Sequence, residues 1–334
     1  MRGDVPPPEQ AGRAQALPST ATRGDVPPPA QAGGETPAIH TQDLAKKYGQ
    51  VTALAGLTMT GPKGEVFGFL GPNGAGKTTS VKLLLGLTEP TAGQAWLLGS
   101  PIGDRQIRRR IGYLPELFRY QSFLTAREVL GFHCELARLP RANRREEVAE
   151  ALATVGLEDR ADDRCGTFSK GMQQRLGLGV ALLGKPELIF LDEPTSALDP
   201  VGRHDVREIT RRLRERGTTI FLNSHLLSEV EMVCDRVAVV DHGRVIALGS
   251  IPDLLGGSKL VRVRMTGLNG RLGSLTGFGV PAEDGEWVTF RDLGEERIAD
   301  LVAAIVGLGG RVYAVEPQLQ SLEDRFLQLL SETS

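Results

Sequence analysis

The stretch from Gly71 to Thr78, Gly-Pro-Asn-Gly-Ala-Gly-Lys-Thr, limits the possible folds of this chain more than any other segment. It fits the phosphate-binding loop pattern G-x-x-x-x-G-K-[ST]. The apolar residues 65–70 before it predict a strand, and residues 79–86 after it predict a helix, which is the context that the pattern needs. Glycines let successive backbone N–H groups surround a phosphate, and the helix N-terminus adds its positive end. The sequence therefore predicts a phosphate site between a strand and a helix.

Two side chains of this loop have chemical roles in such a site. Lys77 can reach the β- and γ-phosphates of a nucleotide, and the Thr78 hydroxyl can bind Mg²⁺. The residues expected to contact the phosphates are Gly71, Pro72, Asn73, Gly74, Ala75, Gly76, Lys77, Thr78 and Thr79. The loop alone leaves open a kinase, a GTPase, a helicase and a transport ATPase.

An apolar strand that ends in two acids adds a second half to this site. Residues 188–193 read Leu-Ile-Phe-Leu-Asp-Glu. In open parallel sheets, ligands bind at the carboxyl edge, where such a strand presents its last residues. Asp192 is therefore expected to hold Mg²⁺ through water, and Glu193 is expected to polarise an attacking water.

Length and composition limit the class of protein. The 334 residues suggest two domains, and the 40% of hydrophobic residues allow a sizeable core. A formal net charge of −2 argues against a protein that coats nucleic acid. The 3 cysteines are far apart and predict reduced thiols in a cytosolic protein, with no disulfide frame or zinc site. No apolar run reaches about 18 residues and no secretory signal is evident, so we expect no membrane span.

The chain divides into three segments by composition and pattern. Residues 1–37 contain the repeated sequence Arg-Gly-Asp-Val-Pro-Pro-Pro and almost no large apolar residue, which predicts a disordered tail. Residues 38–255 alternate predicted strands and helices, which favours an α/β domain with a buried, largely parallel sheet and a helical insertion at about 113–185. Residues 256–334 predict a small α+β domain, whose last helix begins at a capping box, Ser321 to Asp324.

Three further motifs accompany the two halves of the site. Phe168-Ser-Lys-Gly-Met172 precedes the acidic strand at an expected helix N-terminus, and Ser196-Ala-Leu-Asp199 and Asn223-Ser-His225 follow it. Together with the phosphate loop, they resemble the ATP-binding subunit of ABC transporters over about residues 38–255. The resemblance implies a P-loop NTPase core with a RecA-like parallel sheet, N-terminal antiparallel strands and a helical signature subdomain.

The resemblance also implies roles for single residues. Ser169 and Gly171 stand in the signature motif, Asp199 in the D-loop, and His225 is the switch histidine that contacts the γ-phosphate. Tyr48 stands where the family stacks an aromatic ring on adenine, although a structural tyrosine is the alternative.

Two motifs depart from the family pattern. Glu116 replaces the Q-loop glutamine, and its carboxylate is expected to serve as a Mg²⁺ ligand in its place. Lys170 and Met172 replace the usual signature residues, whereas Ser169 and Gly171 are kept.

The family mechanism implies two partners. A second ATPase subunit, most simply an identical chain, would face this one head-to-tail so that ATP joins Lys77 of one copy to Ser169 and Gly171 of the other. A separate membrane permease would dock near residues 119–125, which places the chain at the cytoplasmic face of the cell membrane. The C-terminal stretch 315–327 resembles ATPases of ABC-2 type exporters. No nucleic-acid partner is implied.

Three alternative functions remain open. A soluble ATPase of this fold acting on ribosomes or DNA usually carries two such domains or a long coiled coil, and neither is evident. An importer ATPase is disfavoured by the C-terminal resemblance. A noncatalytic regulatory nucleotide binder is disfavoured because Glu193 and His225 are present.

Overall fold

A computed structural model describes residues 36–196, 198–255, 259–268, 270–291, 293–319 and 321–333. The predicted tail at 1–37 lies outside these ranges except for its last two residues, and so does one residue of the D-loop, Ala197. Within them the chain forms three β-sheets flanked by helices.

The first sheet is antiparallel, with four strands in the order β2-β1-β4-β5. Its strands are β1 Ile39–Tyr48, β2 Val51–Gly61, β4 Ala92–Leu97 and β5 Ser100–Pro101. A hairpin joins β1 to β2, and Gly49 takes a φ of 58° in it, as tight hairpin turns require. Tyr48 is thereby held at the last paired position of β1, opposite Val51.

The second sheet has six strands in the order β10-β9-β3-β8-β7-β6 and carries the predicted phosphate site. Its strands are β3 Val66–Leu70, β6 Ile111–Leu114, β7 Leu188–Asp192, β8 Thr219–Asn223, β9 Arg236–Asp241 and β10 Arg244–Ser250. All pairs are parallel except β9 with β10. Every residue of β3, β7 and β8 is buried, because both faces of this sheet are covered.

Seven helices accompany these two sheets within the described ranges. They are α1 Lys77–Leu84, α2 Ala126–Leu136, α3 Arg141–Val155, α4 Lys170–Leu182, α5 Pro200–Glu215, α6 Leu227–Val233 and α7 Ile251–Leu254. The helical insertion between β6 and β7 consists of α2, α3 and α4. It begins later than the predicted start near residue 113, because residues 111–114 form β6.

Strand β6 depends on a glycine that lets α4 pack closely against it. A Cβ atom on Gly112 would lie 2.1 Å from the carbonyl oxygen of Ala181 in α4. Only glycine permits this approach. The contact fixes α4 against the strand whose exit loop carries Glu116.

The third sheet is antiparallel, in the order β12-β13-β11-β14. Its strands are β11 Lys259–Thr266, β12 Pro281–Asp284, β13 Trp287–Phe290 and β14 Arg311–Leu319. Helix α8, Ile298–Gly307, contributes Leu301 and Ile305 to its core.

The last helix, α9, Leu322–Thr333, packs on the core of the parallel sheet instead of the third sheet. Ser321 Oγ accepts a hydrogen bond from the Asp324 amide, and the Asp324 carboxylate accepts one from the Ser321 amide. The predicted capping box is therefore confirmed. Throughout the described ranges, every helix is too short or too polar to cross a membrane.

Replacing Gly112 by alanine should lower the free energy of unfolding by about 1–3 kcal/mol, because the new methyl group collides with the backbone of α4. Gly131→Ala in α2 is the matched control, since a Cβ at Gly131 meets nothing within 4 Å. The control should raise stability by up to about 1 kcal/mol. Urea unfolding measures both changes, and equal effects of the two substitutions would contradict the close packing of α4 on β6.

Candidate active site

The phosphate loop joins the end of β3 to the start of α1, and it packs closely against the backbone of β9 and β2. Cβ atoms on Gly71 and Gly76 would lie 2.2 Å from the Val240 oxygen and 2.5 Å from the Ala53 oxygen, respectively. Gly76 also takes a φ of 98°. Glycine is therefore required at both positions, because a side chain at either one would meet the backbone of a neighbouring segment.

Lys77 lies over this loop. Its Nζ donates hydrogen bonds to the carbonyl oxygens of Gly71 at 2.6 Å and Pro72 at 3.2 Å. Burial lowers the pKa of Lys77, and the nearby charges of Glu193 and Asp192 oppose that shift. The side chain thus places a buried positive charge between the phosphate loop and the two predicted acids.

The two acids end strand β7 in a buried environment. Asp192 is 4% exposed and Glu193 is 7% exposed. Burial raises the pKa of each carboxyl, because water no longer stabilises the charged form. Asn223 Nδ2, at the end of the adjacent strand β8, donates to Asp192 Oδ1 at 2.5 Å. That bond partly offsets the rise in the pKa of Asp192.

Glu193 leaves the strand with a left-handed backbone, at a φ of 53°. Its amide donates to the Asn223 carbonyl at 2.8 Å, which holds this unusual conformation. Glu193 Oε2 lies 2.7 Å from Nδ1 of His225, whose side chain is 55% exposed. The structure thereby joins Glu193, predicted to polarise the attacking water, to His225, predicted to contact the γ-phosphate. The contact with His225 lowers the otherwise raised pKa of Glu193.

The remaining predicted phosphate contacts line the same loop and the first turn of α1. Asn73, Gly74 and Thr78 are exposed, and Thr79 is half-buried. The Ala75 amide donates to the Pro72 carbonyl at 3.2 Å, which tightens the loop.

The fit of Mg²⁺ can be tested on the polar atoms around Asp192. In the described ranges, no group of three or more His, Cys, Asp and Glu side chains could hold a metal ion by itself. Mg²⁺ usually keeps several waters and binds one or two carboxylates together with substrate phosphates. Asn223 Oδ1 is buried and has no hydrogen-bond partner among the described residues, so it is available to a metal-bound water. These residues fit a hydrated Mg²⁺ at Asp192.

Glu116 is exposed in the loop after β6. Its charge raises the pKa of Asp192, as expected for two acids near the same edge of the sheet. Its placement is compatible with the predicted role as a metal ligand.

Four predicted site residues lie on other elements. Ser169 Oγ accepts from the Met172 amide at 3.2 Å, and Asp199 Oδ1 accepts from the Gly202 amide at 2.9 Å, so these side chains cap α4 and α5. A Cβ at Gly171 would meet nothing closer than 3.9 Å, which leaves the first turn of α4 open. Tyr48 is 49% exposed, with Lys46 Nζ 4.9 Å from its ring centre.

Asn223 is the site residue whose role was missed. The sequence motif contained it, but only His225 received a function. The register Asp192↔Asn223 gives the reason for its importance, because both residues end adjacent parallel strands. Asn223 directly follows the apolar residues 220–222, as Asp192 follows the apolar residues 188–191, and this parallel was a usable signal for the contact.

This arrangement can bind a polyphosphate and activate water. The loop amides and Lys77 supply positive charge, and a carboxylate held by a histidine lies at the same edge. A buried carboxylate with a raised pKa is suited to accept a proton from water.

Comparison with known proteins agrees with this chemistry. Residues 54–196 match the family described as ABC transporter. The chain is 41% identical over 314 residues to the ABC transporter ATP-binding protein all4389 of Nostoc sp., covering 89% of this chain and 91% of that one. It is 42% identical over 211 residues to the bacitracin transport ATP-binding protein BcrA of Bacillus licheniformis, with 62% and 68% covered. It is 41% identical over 215 residues to a Nod factor export ATP-binding protein of Rhizobium sp., with 64% and 71% covered.

Solved structures show the same fold. An ATP-binding subunit of an ABC transporter superposes with a TM-score of 0.59 at 32% identity, covering 65% of this chain and 91% of that one. A dimeric ATP-binding cassette, MJ0796, bound to ADP and Pi superposes with a TM-score of 0.57 at 25% identity, covering 64% and 98%. Because the similarity to the Nostoc protein extends over 91% of that protein, the chain belongs to the ABC transporter ATP-binding proteins.

Proposed function

We propose that this chain is the ATP-hydrolysing subunit of an ABC exporter. The observation that carries the proposal is the contact between Glu193 and His225, 2.7 Å apart beside the buried Lys77. A chain that only binds nucleotide has no use for a buried carboxylate held by a histidine at this edge.

Each residue has one part in hydrolysis. Lys77 and the loop amides bind the phosphates and stabilise charge that develops on them. Glu193 accepts a proton from the attacking water, and His225 holds that carboxylate in place through Nδ1. Tyr48, exposed at the end of β1, offers its ring to the adenine base.

Mg²⁺ completes the nucleotide site in this proposal. When bound, it would neutralise phosphate charge and help to orient the phosphates for displacement. Thr78, Asp192 and Glu116 are the residues proposed to hold it, directly or through water. Asn223 keeps Asp192 oriented for that role.

A second copy of the chain would close the site. The open first turn of α4, with Ser169 and Gly171, provides amide groups and a helix N-terminus for a phosphate of the facing copy. Asp199, at the start of α5, would lie in the same interface. The dimeric form of the MJ0796 cassette supports this arrangement.

The export role rests on relatives and on one surface. The similar proteins from Bacillus licheniformis and Rhizobium sp. are named for bacitracin transport and Nod factor export. Exposed large apolar side chains occur in the loop before α2, at Leu117 and Phe123, and on α2 itself, at Phe132 and Leu136. Beside them is a cavity of about 460 Å³ lined by Pro115, Phe118, Tyr120 and Leu124. Exposed apolar groups of this kind mark interaction sites, which supports a permease docking near residues 119–125 at the cytoplasmic face of the membrane.

Glu193→Gln should reduce the ATP turnover rate at least about a hundredfold, because the amide cannot accept a proton from water. Glu187→Gln is the matched control, since Glu187 precedes the same strand at its opposite end and pairs with Arg110. A phosphate-release assay with Mg·ATP measures both. Turnover by Glu193→Gln at the rate of the control would show that Glu193 is not the catalytic base.

The same substitution should stabilise the chain without nucleotide. Burial holds the pKa of Glu193 above its unfolded value, so wild-type stability falls as pH rises through the interval between the two values. At about pH 7.5, Glu193→Gln should therefore raise Tm by about 2–4 °C, which corresponds to roughly 1 kcal/mol in a domain of this size. The difference should shrink as pH is lowered toward 4.5, where the wild-type carboxyl gains its proton. Equal Tm values across this range would contradict the buried charge.

Phe123→Ser should weaken binding of the membrane partner about tenfold while basal ATP hydrolysis is unchanged, because an exposed aromatic anchor is lost. Leu327→Ser is the control, because Leu327 of α9 is 60% exposed and Phe123 is 67% exposed. Recovery of the permease from solubilised membranes with each tagged chain measures binding. Equal recovery with both variants would place the docking surface elsewhere.

A further inference from the structure

Helix α6 begins two residues after His225 and is held from three sides. On β3, Gly68 allows close packing, since a Cβ there would lie 2.9 Å from Val230 Cγ1. On α9, the Leu322 amide donates to Glu231 Oε2 at 3.2 Å. On α5, Arg207 Nη1 donates to Glu229 Oε1 at 2.9 Å. Because α6 begins two residues after His225, its position constrains the backbone of His225.

The contact with α5 is an enclosed ion pair. The side chain of Glu229 is 6% exposed and that of Arg207 is 21% exposed, whereas the Arg211–Glu208 pair on the same helix α5 is 47% and 41% exposed. Glu229 Oε2 is buried and has no hydrogen-bond partner among the described residues. Loss of Arg207 would leave the buried carboxylate of Glu229 without its charge partner, so the pair constrains the two helices.

This pair lies where the catalytic loops meet. A cavity of about 10 Å³ is lined by Pro194 and Thr195 after the catalytic Glu193, by Ser224 before His225, and by both members of the pair. Helix α5 begins at Asp199, which caps it. The ion pair thus ties the helix of the D-loop to the helix that follows the switch histidine.

We propose that Arg207 and Glu229 are positioning residues for ATP hydrolysis. Their ion pair holds α6 against α5, so that Nδ1 of His225 stays within hydrogen-bonding distance of Glu193. A displacement of α5 at Asp199, where the second copy would contact it, is transmitted through the same pair to His225. This inference rests on the proposed function of Glu193 and His225. It adds a direct connection between Asp199, at the start of α5, and His225. An ion pair requires a defined geometry of its two partners, whereas apolar packing does not.

The test compares Arg207→Gln, Glu229→Gln and the double variant with the wild type in a steady-state ATPase assay. Each single variant should lower kcat about tenfold and leave KM for ATP within about twofold, because nucleotide-binding residues are untouched. The double variant should also lose about tenfold, well short of the roughly hundredfold expected of independent effects. Glu208→Gln, in the exposed pair on α5, is the control and should keep the wild-type kcat.

If the wild type hydrolyses ATP, the proposed function stands, and three results would still overturn the inference. The single variants could keep the kcat of the control, or their loss of kcat could be matched by an equal rise in KM. The third result is a loss in the double variant equal to the product of the two single losses. If the glutamine variants do not fold, Arg207→Lys carries the test, since it keeps the charge but not the guanidinium geometry. It should lower kcat about threefold at constant KM, and an unchanged kcat would reject the role. A wild-type chain that does not hydrolyse ATP would instead refute the proposed function.

Discussion

Two buried carboxylates and a buried ammonium share the carboxyl edge of the parallel sheet, and the rest of the structure depends on keeping them there. Asp192, Glu193 and Lys77 are each buried. Burial raises the pKa of the two acids and lowers the pKa of Lys77, so it favours the neutral form of all three. Charged groups remain in such a place only when partners hold them. Asn223, His225 and the carbonyl of Gly71 are those partners. Charges that are costly to bury are the groups that can bind a polyphosphate and a cation.

The sheet produces this edge because three of its strands, β3, β7 and β8, are buried along their whole length. Apart from Thr219 at the start of β8, these strands have no polar residue before their last position, so the polar groups gather at one side. The loop after β3, the acids after β7 and the amide at the end of β8 then meet by register. The Arg207–Glu229 pair joins helices α5 and α6, which follow strands β7 and β8 in the chain.

Much of this could be predicted because the signals were local. The phosphate loop lies between a strand and a helix within about 20 residues, and the acidic strand is continuous and apolar. Strand β6 was missed because Ile-Gly-Tyr-Leu is four residues long and has no clear period. The capping box of α9 could not predict that this helix packs on the core of the parallel sheet. That packing involves a hydrogen bond between the Leu322 amide and Glu231, which are 91 residues apart in the chain. The left-handed backbone of Glu193 depends on the neighbouring strand and leaves no sequence signal. Pairwise contacts such as Glu193 with His225 follow from the fold and cannot be derived from either segment alone.

In the proposed dimer, ATP binds between Lys77 of one copy and Ser169 of the other, and a mixing experiment tests this arrangement most directly. Lys77→Ala and Ser169→Arg chains should each be inactive alone. In a head-to-tail dimer, a mixed pair has one site with both defects and one intact site. An equal mixture should therefore recover up to about one quarter of wild-type turnover, since about half of random dimers are mixed. A mixture that stays as inactive as its two components would show that the two residues do not act across a dimer.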